Sequence, residues 1–352
     1  MAGRMWWHIG LPKTGTTYLQ DVLWSHRDTL DAAGLHVPGR VRREHLWASL
    51  EVIGADLADR DPRARGSWPR LVDDAGAALA RGRDVVLSHE FGCAASTAQA
   101  RRALDDLEGL PDAAEVHVVL TARPAAAVLV SGWQEQVKNG AALDLVAAAR
   151  QDALTFGWRA WDLAGVLERW LSAVPAERLH VVTVPADGSQ RPAELWRRFA
   201  SLVDVADADV SAPPTPANVS LGLVELELLR RISPHLGAFR GRAVDRGRWL
   251  RGVLAEEHLR SAAAGGPPAA AALPPDLARD CAARTRRARR LIEDAGVSVV
   301  GDLDDLLPSP TQAPRPEPEP VDDAALLDAA GRLVASLLAE LRVRDGDREM
   351  NG

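Results

Sequence analysis

The feature that most constrains this chain is a strand, a glycine loop and a helix that follow one another near the amino terminus. Residues 5–9 (MWWHI) form an apolar run typical of a buried strand, and residues 10–15 (GLPKTG) form a short loop. Apolar side chains then recur at helical spacing from Leu19 to Leu30. This order predicts an α/β unit whose turn can bind an anion.

The residues of the loop suit a phosphate or sulfate group. Backbone N–H groups at a helix amino terminus point into such a loop, and the helix dipole adds partial positive charge. Gly10 and Gly15 allow close approach of the backbone, Pro12 stiffens the turn, and Lys13 adds a formal cation. Three threonine hydroxyls are further candidate donors: Thr14, Thr16 and Thr17.

Short apolar strands alternate with amphipathic helices over the first 210 residues, which predicts a central parallel sheet with helices on both faces. Strands are expected at 84–90, 116–121 and 179–184, and two of the expected helices span 44–58 and 158–173. Ligands of such sheets bind at the carboxyl ends of the strands. Three polar elements fall there, namely Lys13, the triplet Ser88-His89-Glu90, and Arg123. Their convergence predicts an active site.

The order of the loop residues resembles the 5′-phosphosulfate loop of the sulfotransferases. A nucleotide-triphosphate loop reads G-x-x-x-x-G-K-[ST], whereas here the lysine precedes the second glycine, in P-K-T-G-T-T. Sulfotransferases use 3′-phosphoadenosine 5′-phosphosulfate (PAPS) and are related in structure to nucleotide kinases. The resemblance implies a P-loop NTPase-like sulfotransferase fold of bacterial type, and it covers roughly residues 1–230.

The resemblance also implies an arginine that closes a strand and a serine on the next helix, which bind the 3′-phosphate together. Arg123 follows the strand at 116–121, and Ser131 lies eight residues further on, the spacing that the family has. The guanidinium group of arginine is planar, and its N–H donors match the spacing of phosphate oxygens. PAPS is therefore expected to be bound by Arg123, Ser131 and the residues of the loop from Pro12 to Thr17. The structural alternative is that Arg123 caps a surface turn.

Sulfuryl transfer also needs a base that takes the proton of the acceptor. His89 occupies the position where family members with alcohol or phenol acceptors have their histidine, and glutamate is the base in other branches, which makes Glu90 the second candidate. The two are almost equally favoured, with a slight preference for His89, because histidine titrates near neutrality. Lys13 would stabilise the leaving phosphate, so the expected catalytic residues are Lys13, His89 and Glu90. The reaction needs no metal, and no metal site is expected.

Composition narrows the class of protein. The net charge of −7 argues against a general nucleic-acid binder, and the two cysteines provide no disulfide framework. The nine histidines show no metal-binding spacing. No apolar run approaches the length of a membrane span, so a cytoplasmic protein is expected.

The second half of the chain has purely helical periodicity. We expect a sulfotransferase-like domain over 1–307, with its core in 1–210 and a helical region at 211–307 that shapes the acceptor pocket. A Pro-rich linker follows at 308–321, and residues 322–352 form a helix and a tail. The apolar stripe over 322–342 suits docking on the body of the protein or self-association.

The sequence leaves the acceptor open, whether a small molecule, a glycan or a lipid that offers a hydroxyl or amine. Two other functions compete with sulfuryl transfer. A nucleotide kinase or NTPase on a related fold would need the lysine after Gly15, where Thr16 stands, and an acidic magnesium ligand, for which Glu90 is the candidate. A non-catalytic nucleotide-binding module is the other alternative.

Overall fold

The computed structural model describes most of the chain, in two compact units. The described residues are 3–56, 62–110, 115–186, 191–210, 221–260, 273–307 and 321–350, with side chains up to residue 344. The first unit contains residues 1–129, 155–215 and 276–313, and the second contains 130–154, 216–275 and 314–352. The expected helical region at 211–307 is thus divided between the two units. The expected linker lies outside the described residues except for Val321.

A six-stranded sheet in which every strand is parallel to its neighbours forms the centre of the first unit. Its strands are β1 (Arg4–His8), β2 (Leu35–His36), β3 (Asp84–Ser88), β4 (Glu115–Ala122), β5 (Leu179–Thr183) and β6 (Ser298–Val300). Their spatial order is β2-β3-β1-β4-β5-β6. The prediction of an α/β fold with a central parallel sheet is confirmed.

Sixteen helices are found in the described part of the chain. In chain order they are α1 (Thr16–Ser25), α2 (Arg27–Ala32), α3 (Arg43–Val52), α4 (Ser67–Leu79), α5 (Thr97–Glu108), α6 (Ala125–Lys138), α7 (Leu145–Arg150), α8 (Trp158–Trp161), α9 (Leu163–Leu171), α10 (Arg191–Leu202), α11 (Leu223–Ile232), α12 (Gly237–Arg240), α13 (Ala243–Asp245), the π-helix α14 (Arg246–Leu259), α15 (Pro275–Ala295) and α16 (Asp323–Met350). Short 3₁₀ turns supplement them, including the one at Glu90–Ala94 that follows β3. Within the described ranges, no helix has both the length and the apolar character needed to cross a membrane.

Helices cover both faces of the sheet, and the two tryptophans of β1 divide between these faces. Trp6 belongs to a buried cluster with side chains of α1 and α10. Trp7 points to the opposite face, where its ring centroid lies 5.2 Å from that of Trp68 in α4 and 5.1 Å from that of Trp170 in α9. Successive residues of a strand alternate between the faces of a sheet. One buried dipeptide therefore contributes to the core on both sides of the central strand.

The structure departs from the predicted elements at several places. The strand predicted over 84–90 ends at Ser88, and a 3₁₀ turn at Glu90–Ala94 follows it. The helix predicted over 44–58 ends at Val52, and Gly54 with a φ of +68° turns the chain away. The helix predicted over 158–173 is interrupted at Asp162, whose backbone is extended and whose carboxylate binds Arg284 at 3.2 Å. Strand β6 was not predicted, because a run of three residues is too short for periodicity to identify.

The second unit, in the part of it that is described, is helical. Its α16 confirms the helix predicted over 322–342 and continues to Met350. Leu326, Ala329 and Leu333 of α16 are buried, and this helix packs against α11 and α14.

Candidate functional site

The loop between β1 and α1 adopts a left-handed backbone at three positions. The φ angle is +80° at Gly10, +62° at Lys13 and +86° at Gly15. Gly15 precedes the first turn of α1, and no side chain caps this end of the helix. The N–H groups of a first helical turn have no partner within the helix, and the positive end of the helix dipole lies at the same place. The strand, loop and helix amino terminus that the sequence predicts are therefore present.

The glycine at position 10 is required by the approach of a neighbouring segment. A Cβ atom on Gly10 would lie 2.5 Å from the Cβ and 2.7 Å from the Cα of Glu90. A Cβ on Gly15 would in the same way meet the side chain of Leu195 in α10. Hence the loop is enclosed between the segment that follows β3 and helix α10.

The three threonines of the loop have different environments. Thr14 is fully buried, and its hydroxyl donates a hydrogen bond to the carbonyl oxygen of Leu11 at 2.5 Å. This side chain therefore supports the loop from inside, and the role of Thr14 in binding an anion stays a prediction. Thr16 is also buried, at 3% exposure, whereas Thr17 is exposed.

A buried chain of hydrogen bonds lies beneath the loop. The hydroxyl oxygens of Thr14 and Thr121 are 2.6 Å apart, and Thr121 lies 3.2 Å from Nε2 of His8. The other ring nitrogen of His8, Nδ1, lies 2.7 Å from the hydroxyl of Ser88. His8, Ser88 and Thr121 lie on β1, β3 and β4. This series of hydrogen bonds therefore joins the loop to three adjacent strands.

The imidazole of His8, at the centre of these hydrogen bonds, is neutral near neutral pH. Burial lowers the pKa of His8 to about 4, an effect that the nearby Glu90 opposes and His89 reinforces. His45, whose Nδ1 accepts a hydrogen bond from the backbone N–H of Ser88 at 3.1 Å, has a pKa lowered to about 4 as well, chiefly by burial. Both rings are therefore uncharged in the folded protein near neutral pH.

The two candidate bases follow β3 and lie beside the loop, but their hydrogen bonds differ. Nδ1 of His89 accepts the backbone N–H of Phe91 at 3.2 Å, so the neutral ring carries its proton on Nε2. Oε2 of Glu90 accepts a hydrogen bond from the side-chain amide of Gln20 at 2.8 Å. Nε2 of His89 and Oε2 of Glu90 are 3.9 Å apart. The structure thus brings both candidates next to Gly10.

Burial and neighbouring groups determine the protonation states of His89 and Glu90. Burial lowers the pKa of His89, which favours the neutral ring, while Glu90 opposes that effect. Burial alone would raise the pKa of Glu90, but His89 and the hydrogen bond from Gln20 outweigh it, so that this pKa lies below its ordinary value. Glu90 is therefore an ionised carboxylate near neutral pH.

Arg123 lies against the loop at the carboxyl end of β4. Its Nη1 donates a hydrogen bond to the carbonyl oxygen of Lys13 at 2.9 Å. Burial, with a smaller contribution from Arg191, lowers the pKa of Arg123 to about 10, so that the side chain remains a cation near neutral pH. Arg123 also lines a recess beside Pro124 and residues 184–186, and a second one beside Trp161, Asp162 and helix α15.

The predicted site residues are therefore only partly brought together. Lys13, His89, Glu90 and Arg123 converge at the carboxyl ends of β1, β3 and β4, and Pro12 is buried within the loop. Ser131 is half-buried in α6 and belongs to the second unit, so its participation stays a prediction.

Sequence reasoning did not identify three residues that organise this site, namely His8, Gln20 and Thr121. His8 and Thr121 could have been noticed, since a polar side chain within an apolar strand needs a buried partner. The sequence around Gln20 gave no such indication. Gln20 lies beside the apolar stripe of α1, and its partner Glu90 is seventy positions away.

Comparisons of the chain with protein-family models, with curated proteins and with solved structures give no match. In the part of the chain that the structure describes, no group of three or more His, Cys, Asp and Glu side chains is arranged to hold a metal ion.

We predict that Gly10→Ala destabilises the protein more than Gly82→Ala. Both residues have a positive φ, +80° and +73°, but a Cβ at position 82 meets no atom within 4 Å. Gly82→Ala should cost about 1–2 kcal/mol for the left-handed backbone alone. Gly10→Ala should add about 1–3 kcal/mol for the collision with Glu90. Urea denaturation measures the free energy of unfolding of both variants. Equal decreases in the two variants would contradict the close approach of Glu90 to Gly10.

We also predict that the stability of the protein decreases in acid partly through His8. The folded state keeps this ring neutral with a pKa of about 4, whereas the unfolded chain binds a proton near pH 6.5. The neutral ring of His8 therefore causes no loss of the free energy of unfolding above pH 6.5. As the pH decreases from 6.5 towards 4, this free energy falls by up to about 1.4 kcal/mol per pH unit because of this one group. Urea denaturation at several pH values should give a shallower slope for His8→Gln, with the exposed His235 changed to Gln as the control. An unchanged slope in His8→Gln would refute this assignment.

Proposed function

We propose that this chain is a PAPS-dependent sulfotransferase that moves a sulfuryl group to a hydroxyl or amine acceptor. The proposal includes the finer fold class, the P-loop NTPase-like sulfotransferase fold, within the α/β architecture described above. The observation that carries it is the hydrogen bond from Arg123 to the carbonyl oxygen of Lys13. It brings the cation at the end of β4 to the glycine loop, so that both can bind one nucleotide with two anionic groups.

The loop supplies the site for the 5′-phosphosulfate in this proposal. Uncapped N–H groups of the first turn of α1 and the ammonium group of Lys13 stabilise the negative charge that grows on the leaving phosphate. The positions of the N–H groups are fixed before the substrate binds, because the loop is tied to the sheet through Thr14 and Thr121. Charge stabilisation by fixed donors is the main source of catalysis in transfers of this type.

Arg123 is assigned to the 3′-phosphate, together with Ser131. One nitrogen of the guanidinium binds Lys13, and the planar group has further N–H donors suited to phosphate oxygens. Burial makes the positive charge of Arg123 costly, as its lowered pKa indicates. A phosphate bound beside it would offset that cost.

Glu90 is the better candidate for the base. The neutral ring of His89 uses its free electron pair at Nδ1 to accept the N–H of Phe91. Glu90 is ionised, and only its Oε2 is bound by Gln20, at 2.8 Å. In the transfer, the bond from sulfur to the donor phosphate oxygen breaks and a bond from sulfur to the acceptor oxygen or nitrogen forms. The proton of the acceptor passes to Glu90, and the electron pair of the broken bond stays on the phosphate.

The acceptor class is left open by these residues. One feature favours the alternative of a kinase or NTPase, namely the acidic Glu90 after the end of a strand. However, Thr16 occupies the position where the nucleotide-triphosphate loop has its lysine.

The first test is calorimetry with adenosine 3′,5′-bisphosphate and with ATP–Mg²⁺. We expect tighter binding of the bisphosphate. Arg123→Ala should weaken it by about 10- to 100-fold, since hydrogen bonds to charged groups contribute about 1.5–3 kcal/mol each. Arg102→Ala, at an exposed position of α5, is the control and should bind as the parent does. Equal affinity or a preference for ATP–Mg²⁺ would exclude the sulfotransferase proposal.

The second test separates an enzyme from a binding module and the two candidate bases from each other. Turnover is measured with labelled PAPS and an extract of candidate acceptors. Glu90→Gln should lower kcat by about 10²- to 10⁴-fold, the usual contribution of a general base. His89→Asn keeps an acceptor for the N–H of Phe91 and should stay within about tenfold of the parent. The opposite ranking would make His89 the base, and no transfer by the parent would favour a binding module.

A further inference from the structure

The segment from α12 to the first half of α14, in the second unit, is strongly basic. Between residues 236 and 251 the sequence has five arginines and a single acidic residue, Asp245, so that the formal charge of this stretch is +4. The chain as a whole has a net charge of −7. The positive charge of this segment is therefore a local feature of the protein surface.

Four of these arginines form no ion pair within the described part of the chain. The fifth, Arg251, binds the carboxylates of Glu135 and Glu256, each at 3.1 Å. Three of the four are exposed and one is half-buried. We call the four side chains the arginine patch; they are Arg240, Arg242, Arg246 and Arg248. No carboxylate of the described residues neutralises them, so their charge is available to another molecule.

Contacts within the segment hold the arginine patch in a small region. Nη1 of Arg246 donates hydrogen bonds to the carbonyl oxygens of Arg240 and Gly241, at 2.8 and 2.9 Å. The ring centroid of Phe239 lies 6.1 Å from that of Trp249, and this contact joins α12 to α14. Even as one straight helix the segment would span only about 20 Å. Its charge is therefore concentrated within about two Debye lengths at physiological salt.

Exposed apolar side chains lie between the arginines of the patch. Phe239 is 40% exposed and Val244 is 52% exposed, and an arginine stands within two residues of each. Arginines interspersed with aromatic and aliphatic side chains are typical of a segment that lies in the interface between water and a lipid bilayer. In that interface the cations contact anionic headgroups and the apolar side chains enter the boundary of the acyl chains.

The arrangement of the rings disfavours a nucleic acid as the partner. Proteins that bind single strands stack the bases on open aromatic faces. Here the guanidinium carbon of Arg248 lies 4.9 Å from the ring centroid of Trp249, and Phe239 packs against the same ring. Val244, the most exposed apolar side chain of the segment, has no ring on which a base could stack. A bilayer makes use of both the aliphatic and the aromatic side chain.

We propose that the arginine patch binds the surface of an anionic lipid bilayer, with Phe239 and Val244 inserted among the headgroups. Each arginine near such a surface strengthens binding by about fivefold. This electrostatic contribution decreases as the salt concentration rises. All of the residues belong to the second unit, so the proposal is independent of the sulfotransferase assignment.

Cosedimentation of the full-length chain with vesicles tests the proposal. We expect binding to vesicles of phosphatidylcholine with phosphatidylserine, release at high salt, and no binding to phosphatidylcholine alone. Arg242→Ala combined with Arg248→Ala should weaken binding by about 25-fold. The matched control combines Arg81→Ala with Arg102→Ala; it removes two exposed arginines of the first unit and should bind as the parent does. A parent that does not bind the anionic vesicles, or equal losses in the two double variants, would overturn the proposal.

A fluorescent label tests the insertion and separates a bilayer from other anionic partners. A polarity-sensitive dye is attached to Val244→Cys, since the two native cysteines, Cys93 and Cys281, are buried. Its emission should shift to shorter wavelength on the anionic vesicles, whereas the same dye on Arg102→Cys should not shift. A label at position 244 that stays unshifted on bound vesicles would contradict the insertion. Binding of single-stranded DNA or polyglutamate without binding of vesicles would make the partner a nucleic acid or an acidic protein and would exclude the bilayer.

Discussion

The contact on which the site depends is the hydrogen bond between the hydroxyls of Thr14 and Thr121. It continues through His8 to Ser88, so that the conformation of the loop and the ends of three strands are determined together. Every member is buried, and the loss of one partner leaves another polar group unsatisfied, which costs about 1–3 kcal/mol. This cooperativity explains how Lys13 keeps a left-handed backbone that residues other than glycine seldom adopt.

The same framework leaves two charged groups bound to neutral partners. Arg123 binds a neutral carbonyl oxygen, and Glu90 binds the neutral amide of Gln20. Each group therefore keeps its charge for another partner. Cations for a bound anion and a carboxylate for a proton are the two requirements of group transfer from an anionic donor. In the proposed sulfuryl transfer, Arg123 and Glu90 serve these two requirements.

The sequence was sufficient to predict those helices and strands that have a periodic pattern of apolar residues. Apolar runs and helical periodicity predicted β1, β3, β4, β5 and most of the long helices, and the parallel topology then placed Lys13, Glu90 and Arg123 at one edge. The direction of individual side chains could not be predicted in this way. Thr14 turns inward because Thr121 lies within reach, and His89 caps Phe91, and both facts depend on tertiary distances. The short β6 has no pattern of its own, since its neighbour β5 defines it.

The central position of β1 has a consequence for how the protein forms. This strand is synthesised first, yet it pairs on one side with β3 and on the other with β4, which are separated from it by some eighty and more than one hundred residues. During synthesis, β1 therefore lacks its second neighbouring strand until Ala122 has been made, and its two tryptophans are fully covered only after α9 and α10 follow. During that interval the nascent chain exposes apolar surface that chaperones recognise. A fragment that stops before β4 lacks the strand that carries Thr121, and in it the hydroxyl of Thr14 loses its hydrogen bond to that strand.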